Sequence, residues 1–596
     1  SIKKTYIEKI LDFCYSYCMS KEIKNCQNCK KEFVIEPDDF GFYEKIKVPP
    51  PSYCPECRMI RRMNFRNERS LYKQDCNLCG KSIISMYAPE YKYIVYCNEC
   101  YASDNWNPED YGQEYNFSKN FFEQLGELFK KIPRRALYQD FAVNSEYTNQ
   151  SVYMKNCYLC FGGHHYEDSN YCAQNFFLKN CSDVDFSHKS ELCFDSIHLT
   201  NCFKVRFGYY AENCIDSWFI YGCRNCSDCV GCTNLMNKTH CIFNKQYSRE
   251  EYEEKIKEMS LFSMENFEKI QKEFWKHSLN FPRKYANIKN IVNSTGDDLE
   301  QVKNCKYTFS ASEDENVSYS FFVPTGAKDC FDLDHCGLGT SETYELHSGF
   351  GDSRVSFSNR IYYSNDVSYS DDVYNSNDIF ACAGLRKKSY FIFNKEYKKD
   401  EYNILIEKIK EQMNQMPYED KKGRIFKYGE FFPTEIMPFS YNDSVVCEYF
   451  PLTKEEILEK GYKYKDPETK NYKPTILAHQ PPSILEVDEK VLQEIIQCEH
   501  LGRCNHKCTT AFRVIQNELN VCKILGVPLP KLCPNCRHME RINLLNPPRL
   551  YKRKCMCEKE NHFHGNGECD VEFETSYAPN RPEIIYCEKC YQQEVY

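Results

Sequence analysis

The chain predicts a multidomain, mainly β protein: two β-solenoid units with helical caps, set between cysteine-rich modules at the two ends. Three observations point there. A series of cysteine pairs near the start returns in the same order near the end. Between them, cysteines and aromatics recur at a fixed step. And the segment around Ser227–Tyr252 recurs 150 positions later, at Asn377–Tyr402.

The first module reads Cys26-x-x-Cys29, Cys54-Pro-Glu-Cys57, Cys76-x-x-Cys79 and Cys97-x-x-Cys100. The second reads Cys504-x-x-x-Cys508, Cys533-Pro-Asn-Cys536, Cys555-x-Cys557 and Cys587-x-x-Cys590. Two cysteines on one tight knuckle can turn both thiolates onto one ion, and two knuckles complete a tetrahedral Zn(Cys)4 site. Pairing by order gives Cys26, Cys29, Cys54 and Cys57 one ion, and Cys76, Cys79, Cys97 and Cys100 the next. The expectation is about four zinc ions, two per module. At the C-terminal end Cys498, His500 and His506 compete with Cys504 and Cys508, and an insertion adds His562, His564 and Cys569, so the ligand sets there stay open.

Composition sets the wider bounds. The 596 residues carry 38 cysteines and a net charge of −9. No apolar run reaches the roughly 18 residues of a membrane span, and the first residues read as a charged amphipathic helix, not a secretory leader. Knuckle spacing without a leader favours a reducing compartment, so a cytoplasmic location is expected. The acidic balance argues against a uniformly basic nucleic-acid sleeve.

Charge is nevertheless concentrated after the second knuckle of each module. Arg58, Arg61, Arg62, Arg66, Arg69 and Lys73 follow Cys57, and Arg537, Arg541, Arg549, Lys552, Arg553 and Lys554 follow Cys536. On a helix much of that charge shares one side. Arginine interleaved with Phe65 and Tyr72 suits phosphate contact and base stacking, and makes both ends candidate nucleic-acid-binding segments.

The middle of the chain is read by period. Cys160, Cys181, Cys202 and Cys223 stand 21 residues apart, as do Cys172, Cys193 and Cys214. A repeat near 20 residues, rich in Asn, Asp, Ser and aromatics, fits one coil of a β-solenoid. Each unit closes on Ile-Phe-Asn and a charged helix, read as a cap. The boundaries that follow are 1–25 for an N-terminal helix, 26–135 for the first double zinc module and 140–245 for the first solenoid. Then come 246–300 for a helical cap and linker, 301–395 for the second solenoid, 396–495 for a cap and irregular linker, and 496–596 for the last double zinc module.

Three features offer chemistry and are outweighed. Cys223, Cys226, Cys229 and Cys232 resemble part of an iron–sulfur run, but the second copy places Val373, Ser376, Ile379 and Cys382 there. His164 and His165 lie beside Glu167 and Asp168, yet neighbours on a strand face opposite sides. Asp366, Asp371, Asp372 and Asp378 sit at turn-like steps. His538 has Met59 as its counterpart, so a catalytic histidine does not repeat between the ends.

The cysteine pairs and the basic segments after them resemble zinc ribbons and treble clefs. The whole arrangement is similar to a group of uncharacterised bacterial proteins, a resemblance that implies no particular activity. Together these readings favour a non-catalytic, zinc-stabilised scaffold that binds structured nucleic acid, RNA before DNA, with proteins on the solenoid faces. A protein-only adaptor is the alternative, and a metal-dependent nuclease or glycan-active enzyme the second alternative.

Overall fold

The computed structural model describes residues 21–467, 472–478 and 483–595. It is multidomain, with two large strand-rich sheets and a set of helices. The expected helix at 1–25 lies outside the described residues up to position 20, and Glu22–Asn25 is a strand paired antiparallel with Glu32–Ile35.

The first sheet runs from Gln139–Val143 to Lys245–Gln246 and the second from Ile288–Lys289 to Lys395–Glu396. Within each, consecutive strands pair in parallel. Gln139 faces Ser151, Ser151 faces Gly163, and Phe194 faces Arg206, which faces Trp218. The step is therefore 12 residues, and the 21-residue coil expected from the cysteines is corrected to that value. The second sheet keeps the step, as from Gly296 to Thr308, except at Phe331 and Tyr344, which are 13 apart.

The source of the misreading is a shorter period. Backbone φ turns positive at every third residue, for example at Asn201, Lys204, Phe207, Tyr210 and Asn213, all between 53° and 59°. Each bend returns the next residue but one to the inside, so Cys193, Ser196, Leu199, Cys202 and Val205 are all buried. Twelve residues make four such bends. Cysteines at Cys193, Cys202 and Cys214 are separated by 9 and then 12, which sums to 21.

The sequence supplies what the bends require. Asparagine and aspartate tolerate the left-handed region better than other side chains. Stacked amides then connect them: Asn201 donates to Asn213 at 2.8 Å, Asn213 to Asn225 at 2.9 Å, and Asn225 to Asn237 at 2.9 Å. Aromatics at other bends stack likewise, with Phe141, Tyr153, His165 and Phe177 forming a column whose centroids are 4.6–4.8 Å apart. Inside, thiols donate to carbonyls. Cys226 Sγ reaches Arg224 O at 3.2 Å and Leu235 O at 3.4 Å.

Both sheets end alike. Thr239–Ile242 turns back on Lys245–Gln246, and Ser389–Ile392 on Lys395–Glu396. The Asn244 side chain accepts from Thr233 N and donates to Thr233 O, both at 2.8 Å, and Asn394 does the same with Ala383 at the same distances. The side chain supplies the bonds of the next strand, which blunts the open edge. Helices Arg249–Met259 and Lys399–Gln415 follow at once. No helix among the described residues is long and apolar enough to cross a membrane.

Candidate metal centres and the arginine helices

Each N-terminal knuckle is a strand hairpin with two cysteines at its tip. Tyr72–Asp75 pairs antiparallel with Ser82–Ser85 and holds Cys76 and Cys79 between them, as the Glu22–Asn25 hairpin holds Cys26 and Cys29. The tip closes through Cys26 N to Lys31 O at 2.9 Å and, equivalently, Cys76 N to Lys81 O at 2.8 Å. The residue after the second cysteine takes a positive φ, 63° at Lys30 and 73° at Gly80. The other two thiols come from helix starts. Cys54 caps Pro55–Met63 and Cys97 caps Asn98–Ala102, where the helix dipole favours a thiolate.

These parts converge as the spacing predicts. The sulfurs of Cys26, Cys29, Cys54 and Cys57 lie within 4.8 Å of one another, and so do those of Cys76, Cys79, Cys97 and Cys100. Backbone amides point at them, with Cys97 N 3.2 Å from Cys76 Sγ. Burial opposes ionisation of the Cys76 thiol, but backbone donors outweigh it and bring the thiol down to about 7. Both clusters are positioned to bind a metal ion.

The C-terminal module departs from the expected sets. Cys508, Cys533 and Cys536 group with Cys498 and not with Cys504, while Cys555, Cys587 and Cys590 group with Cys569 and not with Cys557. The reason is topological. Cys498 follows the strand Ile496–Gln497, which pairs with Ala511–Phe512, so Cys498 and Cys508 stand at the mouth of one hairpin. Likewise Tyr551–Lys554 pairs with Glu572–Thr575 and sets Cys555 opposite the segment carrying Cys569. Cys504 and Cys557 lie within the loops those hairpins enclose.

The basic segments fold inward. On the helix Pro55–Met63, Arg58 Nε is 2.9 Å from Asp332, Arg61 Nη2 is 2.7 Å from Glu345, and Arg62 reaches Asp332 at 2.8 Å and Asp334 at 2.6 Å. On the helix Pro534–Ile542, Arg537 is 2.7 Å from Glu518 and 3.3 Å from Asp183. Arg541 is 2.9 Å from Asp183 and 2.7 Å from Asp185. Burial disfavours the charge of Asp185, but Arg541 and His538 outweigh that and hold its carboxyl down to about 2.

The surface expected from these residues is therefore not built from them. Arg58, Arg61, Arg62, Arg66, Arg537 and Arg541 are all buried. Arg66 pairs with Glu68, and Arg69 lies over the Phe161 ring at 4.9 Å. Phe65 packs against Phe431 and Phe432, and Tyr72 donates to Asp443 at 2.8 Å, so neither offers a stacking face. Arg549 binds Glu56 of the opposite module at 2.6 Å. Arg553 is half-buried and donates to Ala578 O, while Lys554 stands 3.5 Å from Asp570. Lys73, Lys552 and Lys554 are exposed.

The sequence gives no sign of the acidic partners, because Asp332 stands 270 residues from Arg62. One signal was available. Asp183-x-Asp185 and Asp332-x-Asp334 recur 149 residues apart, matching the repeated arginines. The two docks cross over: the first module's helix lies on the second sheet, and the last module's helix lies on the first sheet.

The other candidates have packing tasks. His538 is held between Asp185 at 3.2 Å and Glu448 at 3.0 Å. His164 stacks on Phe176 and His165 on Tyr153. Asp371 receives Asn359 at 2.9 Å and Arg134 at 3.3 Å, and Asp366 binds Arg354 at 2.7 Å. The irregular strap around 418–467 covers the first module, with Arg424 Nη1 donating to Asn28 at 2.8 Å and Glu430 accepting from Arg61 at 3.1 Å.

Comparison with known proteins adds no family. No family model matches the chain, and no curated protein matches it. A solved structure from Desulfovibrio desulfuricans G20, assigned as an acetyltransferase, is 8% identical and covers 48% of this chain and 84% of its own, with a TM-score of 0.09. A likeness of that size carries no argument about fold or function.

Proposed function

We propose that the protein is a non-catalytic, zinc-stabilised scaffold for a protein assembly, in which two β-solenoids form the rigid body and zinc-ribbon or treble-clef modules clamp them together. The single observation that carries this reading is the internal use of the basic helices. Arg58, Arg62, Arg537 and Arg541 are buried against Asp332, Asp334, Asp183 and Asp185. Charge that could have met phosphate instead holds module to solenoid, and the net charge of −9 further disfavours a polyanion. Zinc is the metal that four thiolates in a closed tetrahedral site select best.

The free faces then define the partner surface. The column Phe141, Tyr153, His165 and Phe177 is one, since Phe141 is 70% exposed and Phe177 47%. Exposed aromatics in a rigid row suit a protein interface. Nucleic acid is the second reading, favoured by the exposure of Lys73, Lys552 and Lys554 beside the knuckles.

Crosslinking of the full chain in its native cells separates the two. Recovery of discrete protein partners through the 141–177 face supports the scaffold. RNA crosslinked at Lys552 or Lys554, with affinity falling steeply as salt rises, would replace it with the nucleic-acid reading.

A further inference from the structure

The C-terminal module contains more ligands than two mononuclear sites can use. Cys498, Cys508, Cys533 and Cys536 form one four-sulfur group, and a second group made of His500, Cys504, His506 and Cys536 meets the same distance limit of 4.8 Å. Cys536 belongs to both. Its sulfur is 3.9 Å from Cys498 Sγ on one side and 3.7 Å from Cys504 Sγ on the other.

The imidazoles are placed as ligands and not as packing. The Nδ1 atoms of His500 and His506 are buried with no hydrogen-bond partner. Glu540, one helical turn after Cys536, approaches both rings, at 3.8 Å from His500 Nε2 and 3.9 Å from His506 Nδ1. A carboxylate behind a histidine is the usual outer support of a metal-bound imidazole.

The last knuckle repeats the plan. Cys555, Cys569, Cys587 and Cys590 form its four-sulfur group. Inside the enclosed loop, Cys557 Sγ is 3.3 Å from His562 Nδ1, and the His562 and His564 rings are 5.8 Å apart. Both ring nitrogens of His564 are buried and unpartnered. The Cys590 thiol neighbours those of Cys557, Cys569 and Cys587. Glu594 stands one turn after Cys590 and 3.7 Å from His562 Nε2, as Glu540 does after Cys536.

We propose that the C-terminal module binds four zinc ions as two thiolate-bridged pairs, with Cys536 and Cys590 as the bridging sulfurs. In each pair one ion takes four cysteines, and the other takes the bridge, one further cysteine and two histidines. A thiolate has lone pairs enough for two ions. Charge favours the arrangement: one Zn2+ with four thiolates carries −2, whereas two Zn2+ with five thiolates and two neutral imidazoles carry −1, and less buried charge costs less desolvation.

The N-terminal module is an internal control. Gln27 and Asn28 stand between Cys26 and Cys29, and Asn77 and Leu78 between Cys76 and Cys79, so neither loop offers a further thiolate or imidazole. The whole chain should hold six ions, two at the N-terminal end and four at the C-terminal end.

This inference rests on the zinc reading above, and the test keeps the two apart. The full chain, purified with zinc, is weighed by native mass spectrometry. Six ions are expected, falling by one in Cys57→Ser and in His506→Ala and by two in Cys536→Ser. With 113Cd in place of zinc, two pairs of resonances should show cadmium–cadmium coupling, which only a shared sulfur transmits. Four ions with uncoupled resonances would overturn the bridged pairs and leave the zinc scaffold intact; a metal-free, folded chain would overturn both. His506→Ala changes one loop residue, so its count remains readable if Cys536→Ser does not fold.

Discussion

Arg62 and Asp332 meet at 2.8 Å with neither side chain exposed to solvent, and Arg541 and Asp183 meet at 2.9 Å in the corresponding place on the other sheet. The correspondence extends to the rings and carbonyls around them. Arg62 donates to Tyr319 O and Arg541 to Tyr171 O. Arg58 lies over Tyr319 and Arg537 over Tyr171. The two ends of the chain thus use one docking device twice, each on the farther partner.

Removing one member of such a pair leaves a buried charge without compensation. Arg541→Ala should lower unfolding free energy by about 3–5 kcal/mol, measured by denaturant titration, because Asp183 and Asp185 keep their burial and lose their donor. Lys552→Ala, at an exposed position, should change it by less than about 0.5 kcal/mol. Equal effects from the two would remove the docking account.

The acid limb follows from Asp185. Its folded-state carboxyl is held to about 2, below the unfolded value, so its contribution is present above the unfolded value and is lost as pH falls toward 2. Acid titration should release the C-terminal helix only below about pH 4, and Asp185→Asn should flatten that part of the curve.

Asp314 carries the opposite sign. Burial pushes its carboxyl up to about 8, and one oxygen accepts from Ala327 N at 2.7 Å while the other has no partner. A folded value above the unfolded one means stability that is full in acid and lost as pH rises through 8. Asp314→Asn should therefore stabilise the protein by about 1–3 kcal/mol at pH 8 and by little at pH 4. Thermal melts at the two values check this, and a shift of the same size at both would refute it.

The buried thiols of the first sheet act as hydrogen-bond donors. Cys226→Ala should cost about 1–2 kcal/mol and leave the metal content unchanged, as read by elemental analysis. Loss of iron or zinc in that variant would restore the cluster reading of Cys223, Cys226, Cys229 and Cys232.

Asn394 closes the second sheet through two bonds to Ala383, with its own φ at 60°. Asn394→Ala loses both bonds and places alanine in the left-handed region, so a loss of about 2–3 kcal/mol is expected. Faster hydrogen exchange should appear in Ser389–Ile392 first.

How far the residues disclosed this arrangement depends on the range of each signal. The N-terminal clusters were legible because four cysteines on two short knuckles leave little freedom, and Cys26 through Cys100 group as their order suggests. Cys498 and Cys569 were not assigned, because a hairpin brings together residues that lie ten or more positions apart, at Cys498 and Cys508. The 21-residue spacing was real and misleading: inward positions recur every third residue, and cysteine occupies only some of them. The role of Arg58 and Arg62 was out of reach, since an arginine bound for phosphate and one bound for a buried aspartate look alike until the distant carboxylate is placed beside it.

Hydrogen–deuterium exchange of the full chain, with and without a strong zinc chelator, tests the central claim most directly. If metal-bound modules clamp the body through buried arginine pairs, chelation should expose the helices Pro55–Met63 and Pro534–Ile542 together, while Phe194–Thr200 and Ser353–Tyr362 keep their protection. Unchanged protection of both helices after complete metal removal would contradict it.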